Sequence, residues 1–534
     1  MMISNNEAWS FSCKRADNIK GNTLKTLSIL ILSVLCTALL QAQYSAKPDE
    51  QSISSLNSGD QQQLYKTDSG DTSSLGANHA SGDTVYNKYG DLKNDVAAYN
   101  QRQPLWRPLL GIVGSNVVTN LMDTYILGNS FTHVGFVSWG TNLKAGWPWG
   151  SGWEWDQDRF GMNFFMHPYG GAIFFNSART NGFDFWASVP YTLVGSYMWK
   201  IFGETGVPER NDLISTTVNG VFGGEMLYRL GSDLLDDQTT GADRFFRELA
   251  VAILSPTRFL SRLSHGQLTR LTPEDVYQKE PLNITLSAGY HRVNEGTSLQ
   301  SGSNTLNFNL LLDYGNPFEI RSRKPFDYFK IRGDLDFGMG RKIVDNITGY
   351  GILFGSNAQS GNLDMLVGLF HHMDYFDNWT FELSTMAFGP SIISRLPMSG
   401  SSSLSTNLHV GLVPFGGLSR PSGPDTMQIR DYDFVGGAEA KLENTFDIGG
   451  WTDITITAYY WWLHTYVGVA ANSYIALIKP RIAFTLFKDA RIGFEHQIYY
   501  SDRYPTDFAS VHSVRTEEKV YVMLFFQSFK HQRE

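Results

Sequence analysis

Apolar and polar side chains alternate along the C-terminal half of the chain, from about residue 282 to residue 529. The clearest stretch sets apolar or small residues against charged ones, namely Phe329, Ile331, Gly333, Leu335 and Phe337 against Lys330, Arg332, Asp334 and Asp336. Side chains point alternately to the two faces of a strand, so this pattern predicts a strand with one apolar and one charged face. The same period of two recurs at 306–312 and 453–462.

A soluble β-sandwich would show the same alternation, so the length of the runs and the placement of aromatic residues have to separate it from a membrane barrel. Many of the runs have about ten residues, which a tilted strand needs to cross a bilayer. Their ends are rich in aromatic residues, as expected at the boundary between lipid and water. These aromatic residues are Tyr290, Tyr314, Tyr328, Tyr459, Tyr460, Trp461, Trp462, Tyr499 and Tyr500.

The connections between the runs also alternate in length. Long polar links are predicted near 294–303, 419–430 and 501–513, and short ones at 447–451 and 488–490. Long loops on one side and short turns on the other are typical of outer-membrane barrels. The sequence therefore predicts an α+β chain, in which an N-terminal helical module precedes an antiparallel transmembrane β-barrel of about 12 strands. A soluble all-β domain is the alternative.

Composition agrees with a barrel rather than a bundle of membrane helices. Hydrophobic residues make up 42% of the chain, yet its mean hydropathy is −0.22. Half of each strand of a barrel faces a polar lumen, so a barrel does not need the higher hydropathy of a helical membrane protein. The 43 basic and 52 acidic residues give a net charge of −9 without a basic cluster, which leaves nucleic-acid binding without electrostatic support.

A cleavable signal peptide is predicted at residues 1–42. Lys20 and Lys25 precede an apolar run at 27–40, and the small residue Ala42 follows it. A basic segment, a short apolar segment and a small residue at the cleavage point are the parts of a secretory signal. The apolar run is too short to predict a spanning helix.

Both cysteines, Cys13 and Cys36, precede the predicted cleavage point. A lipoprotein cysteine at Cys36 is an alternative, although Val34 and Leu35 do not supply the small residue that such a site needs. The exported chain would contain no cysteine, which excludes thiol catalysis, disulfides and cysteine-ligated metal.

Two segments separate the signal peptide from the barrel, which is predicted at 281–529. Residues 43–104 are rich in Ser, Asp, Gln, Gly and Asn, which predicts a flexible periplasmic linker. Residues 105–270 are predicted to be a helical module, because apolar residues recur there at three- and four-residue steps. Its helices are predicted at 109–124, 183–202 with a kink near Pro190, 212–234 and 242–263. Polar residues interrupt each helix, so none is predicted to span a membrane.

The helical module contains a run of the form Asp-x-Phe-x-x-Asn-x-x-x-His-Pro-x-x-Gly, followed by Ala-Arg, Asn-Asp and Gly-Glu pairs. These positions are Asp158, Phe160, Asn163, His167, Pro168, Gly171, Ala178, Arg179, Asn211, Asp212, Gly224 and Glu225. Over about 106–270 the chain resembles a bacterial domain-of-unknown-function family (DUF3943-like), found in predicted outer-membrane proteins of Gram-negative bacteria. The resemblance implies a helical module ahead of a barrel. It implies no substrate, because the family has no established activity.

The ionisable residues of this module could form a catalytic centre. The candidate catalytic residues are His167, Asp158, Glu225 and Arg229, and the candidate binding residues are Asn163, Arg179 and Asp212. A buried His beside a carboxylate can act as a general base, and an Arg can stabilise an oxyanion or bind phosphate. The alternative is structural, because buried ion pairs and capping groups also fix helix ends and register. The chain has no Gly-x-Ser-x-Gly nucleophile motif.

Metal binding and pore formation receive less support. His371 and His372 are adjacent, so on a strand they point to opposite faces and cannot chelate one ion together. We therefore predict neither a metal nor a cofactor. The predicted lumen residues carry both signs of charge, namely Lys330, Arg332, Asp334, Asp336, Glu439, Lys441, Glu443, Arg491 and Glu495. Mixed charge favours a closed barrel braced by ion pairs over a selective channel, which remains the alternative.

Together these patterns predict an outer-membrane protein of the Gram-negative envelope. Its helical module would lie in the periplasm or inside the lumen, and its role would be structural, binding or transport-related. The expected partners are membrane lipid and the barrel-assembly machinery. The alternative function is a membrane-bound enzyme that acts on lipid or envelope glycolipid through His167 and nearby carboxylates.

Overall fold

The structure is a computed structural model. It describes residues 102–528 except 127, 129, 156–157, 274, 339–342, 379, 381 and 421–431, together with two short paired strands, Tyr86–Asn87 and Gly90–Asp91. The predicted signal peptide and nearly all of the predicted linker lie outside the described residues. The domain bounds given above therefore stay predictions.

Seven α-helices precede the barrel in the described part of the chain. They are α1 (Trp106–Tyr125), α2 (Phe136–Lys144), α3 (His167–Arg179), α4 (Phe185–Phe202), α5 (Arg210–Leu234), α6 (Gly241–Leu254) and α7 (Pro256–Ser264). A π-helical turn, Met162–Met166, leads directly into α3. Among the helices of the described part, none has both the length and the apolar run that crossing a bilayer demands.

The prediction of a single helix at 242–263 was wrong. The structure has two helices there, α6 and α7. They are separated at Ser255, whose backbone is not helical, and Pro256 begins the second helix. Proline is well placed at the first position of a helix because its missing N–H would have no intrahelical partner there. Helices α2 and α3 were not predicted, because their short apolar patterns are interrupted by Gly, Asn and Pro.

Twelve long strands follow. They are β1 (Leu282–Glu295), β2 (Ser298–Tyr314), β3 (Phe329–Phe337), β4 (Val344–Ser360), β5 (Leu363–Asp377), β6 (Glu382–Pro397), β7 (Ser403–Ser419), β8 (Tyr432–Ile448), β9 (Thr452–Val467), β10 (Ala471–Phe487), β11 (Ala490–Pro505) and β12 (Val511–Ser528). Each pairs antiparallel with the next, and β12 pairs with β1, where Phe526 lies opposite Ile284. The prediction of a closed antiparallel barrel of about 12 strands is confirmed.

The strands are longer than the alternating runs suggested. The predicted long link at 294–303 was wrong, because β1 continues to Glu295 and β2 begins at Ser298. Outside a bilayer a strand can be polar on both faces, so polarity alone did not distinguish strand from loop there. A long connection instead lies on the opposite rim, at 315–328 between β2 and β3.

The predicted alternation between an outer and an inner face is present in the barrel. On β3, Asp334 and Asp336 are buried while Leu335 and Phe337 are 38% and 46% exposed. Charged residues therefore face the lumen, and apolar residues face outward, as in a barrel surrounded by lipid.

The chain divides into two compact units. Unit 1 contains residues up to 130, 177–183 and 234–277, and unit 2 contains 131–176, 184–233 and everything from 278 onward. Unit 1 therefore includes α1, α6 and α7, whereas unit 2 includes α2, α4, most of α3 and α5, and the barrel.

Unit 1 is organised around the buried side chain of Arg262 on α7. Its Nη2 lies 2.9 Å from Asp237 Oδ1 and 2.6 Å from Glu248 Oε1, and the ring hydroxyl of Tyr277 also contacts the guanidinium. A buried guanidinium needs such partners, because an unpaired charge would be costly to remove from water.

In unit 2, helix and strand side chains share one apolar core. Phe222 on α5 has no exposed surface, and its ring centroid lies 5.0 Å from that of His371 and 5.3 Å from that of Phe326. A Cβ atom at Gly349 on β4 would lie 3.3 Å from the Phe222 ring. Helix α5 thus meets the barrel wall at a position that carries no side chain.

Candidate functional site

Residues from separate sequence motifs converge where α3 and α5 begin. Asn163, in the π-helical turn, and His167, the first residue of α3, are four positions apart and so share one side of the helix. Asn211 Nδ2 on α5 donates to Asn163 Oδ1 at 3.3 Å, and His167 Nε2 lies 3.2 Å from Asp212 Oδ2. Ser215, one turn further along α5, donates to the Asn163 carbonyl at 2.7 Å.

Lys200, near the end of α4, completes this cluster. Its ammonium contacts the Asp212 carboxylate and lies 2.6 Å from Glu204 Oε2 and 2.8 Å from Glu209 Oε2. The side chains of Lys200 and Asp212 are 3% and 0% exposed. Sequence reasoning missed Lys200, although a single cation in the otherwise apolar run of α4 was the available signal.

We define the His167 cluster as Asn163, His167, Lys200, Asn211 and Asp212. Three carboxylates, those of Asp212, Glu204 and Glu209, surround its Lys200 ammonium. A buried charge needs such partners to offset the loss of its hydration. His167 lies beside the same Asp212 carboxylate, and an imidazole next to a carboxylate can act as a general base.

Glycines let the helices that hold this cluster approach one another closely. A Cβ at Gly171 on α3 would lie 1.8 Å from the Thr216 carbonyl oxygen on α5, and one at Gly220 would lie 2.6 Å from the backbone of Gly171. A Cβ at Gly195 on α4 would meet the Phe174 ring at 2.4 Å. Close approach of backbones at small residues is a common way for helices to pack in membranes.

The four candidate catalytic residues do not form one centre in the described contacts. His167 pairs with Asp212, whereas Glu225 pairs with Arg229, whose Nε lies 2.8 Å from Glu225 Oε1. Arg229 Nη2 also donates to the Pro325 carbonyl at 2.6 Å, before β3.

The remaining candidates have different surroundings. The backbone carbonyl of the exposed Asp158 accepts a hydrogen bond from the Tyr432 hydroxyl at 3.0 Å, and Asn163 Nδ2 donates to the same hydroxyl. Arg179, in unit 1, donates to the Phe183 carbonyl at 2.7 Å. Asn163 and Asp212 are thus grouped with His167, whereas Arg179 has its described partner elsewhere.

The His371–His372 pair behaves as two separate side chains. The His371 ring stacks on Phe388 at 4.4 Å, whereas the His372 ring lies 4.9 Å from that of His409. Within the residues that the structure describes, no group of three or more His, Cys, Asp or Glu side chains is arranged to hold a metal ion.

The closed ring of strands, charged within and apolar without, defines an outer-membrane β-barrel. Residues 152–257 match a family model described as "Domain of unknown function (DUF3943)", which confirms the resemblance over that segment. The match includes the whole His167 cluster.

Several solved structures that resemble the chain are described as porins or outer-membrane proteins. The NanC porin is 9% identical, with 45% of this chain and 98% of that chain covered and a TM-score of 0.26. An outer-membrane channel from Pseudomonas putida F1 is 6% identical, with 47% and 97% covered and a TM-score of 0.25. The outer membrane phospholipase A from Escherichia coli is 12% identical, with 46% and 91% covered and a TM-score of 0.23. Comparison with curated proteins gives no match. These likenesses are too distant to assign a function.

Proposed function

We propose that the protein is an outer-membrane β-barrel with a closed lumen, which serves as a structural or binding element rather than an open pore. The observation that carries this proposal is a set of ion pairs between strands that are not neighbours. Lys441 Nζ on β8 lies 2.7 Å from Asp374 Oδ2 on β5, and Lys519 Nζ on β12 lies 3.2 Å from Asp334 Oδ1 on β3. Lys330 on β3 contacts Glu443 on β8. Such pairs cross the lumen.

The burial of these charges supports a closed lumen. Lys441 and Asp334 are each 5% exposed and Lys519 is 3% exposed, although each lies on the inner face of the wall. In a water-filled pore, lumen charges would be solvated. Two cavities between lumen side chains have volumes of about 30 and 20 Å³, enough for only a water or two each.

Apolar side chains fill the lumen on either side of the charged layer. One buried cluster includes Trp461, Leu463 and Ile475, and another includes Ile352 and Phe370. Trp461 Nε1 also donates to Asp374 Oδ2 at 3.1 Å, which joins the first cluster to the charged layer. Filling by side chains is the expected state of small barrels, whereas porins with more strands leave a channel.

The helices of unit 2 lie, in this proposal, along the outer side of the barrel wall rather than inside the lumen. Support comes from adjacent residues with opposite surroundings, since His371 contacts Phe222 of α5 while His372 contacts His409 on the inner face of the wall. Ile331 also packs against the core that contains Phe222, although its charged neighbours on β3 face inward. The residues whose side chains face outward are thus the ones that contact the helices.

Conductance measurement tests the closed lumen. The purified full chain, inserted into a planar bilayer in potassium chloride, should give no steady ohmic conductance, because its ion pairs and apolar clusters block the path. A porin reconstituted in the same way controls for the recording, and heat-modifiable gel mobility confirms that the inserted chain is folded. Stable ohmic steps from the folded protein would overturn the proposal.

A second candidate function is a membrane-bound enzyme acting on lipid, and one observation favours it. The His167 imidazole beside the Asp212 carboxylate has the arrangement of a general base, and His167 is the partly exposed member of that pair. Under this function His167→Ala should change the lipid composition of the outer membrane while leaving gel mobility intact. The exposed His464→Ala on β9 is the matched control. An unchanged lipid profile in a folded His167→Ala variant would exclude this function.

A further inference from the structure

We propose that α4 lies within the hydrocarbon layer, with the acyl chains of membrane lipid as the partner of its exposed side. This inference rests on the proposed position of the helices along the outer wall. It adds that lipid acyl chains cover the outer side of one of these helices.

The exposed side of α4 is apolar. It consists of Pro190 and four large apolar residues, Trp186, Leu193, Val194 and Phe202, which are 47%, 46%, 39% and 40% exposed. An apolar side chain left in water forgoes about 1.5–3 kcal/mol of burial energy. Four such residues on one 18-residue helix are therefore better explained by a surrounding that is itself apolar.

A polar stripe runs along the buried side of α4, which also carries the apolar Phe185 and Ile201. Ser188, Thr192, Ser196 and Lys200 recur at four-residue steps, and each is at most 2% exposed. A helix at the surface of a water-soluble protein has the opposite arrangement, with its apolar stripe inward and its polar side outward. Small hydroxyl residues between helices and a paired cation turned away from lipid are typical of helices in membranes.

The exposed side of α4 is continuous with the outer surface of the barrel. The Trp186 ring stacks on that of Phe354 on β4, with ring centroids 5.1 Å apart and planes 9° apart. Phe354 is 53% exposed, and its partner across the strand pair, Leu369, is 39% exposed. Helix α4 and the lipid-facing wall therefore form one apolar surface within unit 2.

The neighbouring helix α5 extends from one rim of the barrel to the other. Near its start, Asn211 bonds to Asn163, which contacts Tyr432 at the beginning of β8. Near its end, Arg229 bonds to Pro325, just before β3. Strands β3 and β8 are antiparallel to each other within the ring, so their first residues lie at opposite rims. A helix of 25 residues is about 37 Å long, which exceeds the roughly 30 Å of the hydrocarbon layer.

Spin labels on single cysteines test the environment of α4 directly. With Cys13 and Cys36 replaced by Ser, the full chain is given Leu193→Cys or Val194→Cys, labelled with a nitroxide and reconstituted into phospholipid vesicles. Collision rates of the label with oxygen, which concentrates in lipid, and with a water-soluble nickel chelate are then measured. The ratio of oxygen to nickel collisions reports the surrounding medium.

Three control positions calibrate the experiment. Ile478→Cys on the outer wall of β10 supplies the value for lipid, and Asn362→Cys in the turn between β4 and β5 supplies the value for water. Thr192→Cys, buried next to the test positions, supplies the value for a packed interior. We expect labels at 193 and 194 to match the Ile478 ratio.

Two results would overturn the inference. A ratio like that at Asn362 would place α4 in water, and low collision rates with both reagents, as at Thr192, would mean that protein covers it. Both results are independent of conductance, so failure of this inference is distinguishable from failure of the closed-lumen proposal.

Discussion

Replacing Gly171 by Ala should push α3 and α5 apart. The added Cβ would lie 1.8 Å from the Thr216 carbonyl oxygen, whereas ordinary contact begins at 3.4 Å. The helices would have to separate by about 1.6 Å (3.4 − 1.8) at their crossing, and the obstacle is backbone, which cannot rotate away. Overpacking of this kind typically costs about 1–3 kcal/mol.

Gly170→Ala is the matched control for this change. It lies on the same helix, one position away, and a Cβ there meets nothing within 4 Å. Both substitutions gain the same helix propensity of about 1 kcal/mol, so the difference between them isolates the contact. We expect Gly171→Ala to be less stable than Gly170→Ala by about 2 kcal/mol.

Unfolding in urea, with the protein in lipid vesicles and tryptophan fluorescence as the signal, measures this difference. Gel mobility before unfolding establishes that each variant has formed its barrel. Transition midpoints that coincide for the two alanine variants would refute the close crossing of α3 and α5.

The remaining predictions concern the wall and its surroundings. Lys330→Met should lower the free energy of unfolding in urea by about 1–3 kcal/mol, because it removes the hydrogen-bonded partner of the partly buried Glu443 carboxylate. Adding Glu443→Gln should restore part of the loss, and a double variant no better than the single one would contradict this. Phe222→Ala should lower the free energy of unfolding by about 3–5 kcal/mol in the same assay. Phe245→Ala, which changes an exposed residue of unit 1, should lower it little, and equal losses would argue against the shared core.

The barrel was predictable because the two faces of each strand lie in different environments. Lipid outside and charged partners inside impose a period of two on every strand, as the residues of β3 illustrate. Strand number followed from counting those periods. The ends of β1 and β2 were not predictable, because a strand beyond the bilayer no longer has an apolar face.

The position of the helices could not be read from the strands. Ile331 and Leu335 occupy the same face of β3 and the same place in the alternating pattern, yet Ile331 packs against the core of unit 2 and Leu335 is 38% exposed. Periodicity reports which face a residue is on, but not whether lipid or a helix covers that face. That information resides in contacts between residues far apart in the chain.

Part of the His167 cluster was predictable from its motifs. His167, Asn163 and Asp212 were identified as candidates, and the structure brings them together. Their grouping with Asp158, Glu225 and Arg229 did not follow, because those residues lie on other turns and make other contacts. Lys200 was missed because an apolar helix with one cation suggests an interruption rather than a partner for a distant carboxylate.

The closure of the ring by β12 against β1 has a consequence for biogenesis. The helices of unit 2 are synthesised before the strands, and the ring of strands that shares their apolar core cannot close until the last strand has been made. During that interval the apolar side chains of these helices and the polar residues between α3, α4 and α5 both lack their final surroundings. If the proposed export to the outer membrane is correct, we expect any periplasmic escort of the chain to shelter a helical segment as well as unpaired strands, and to release the two together.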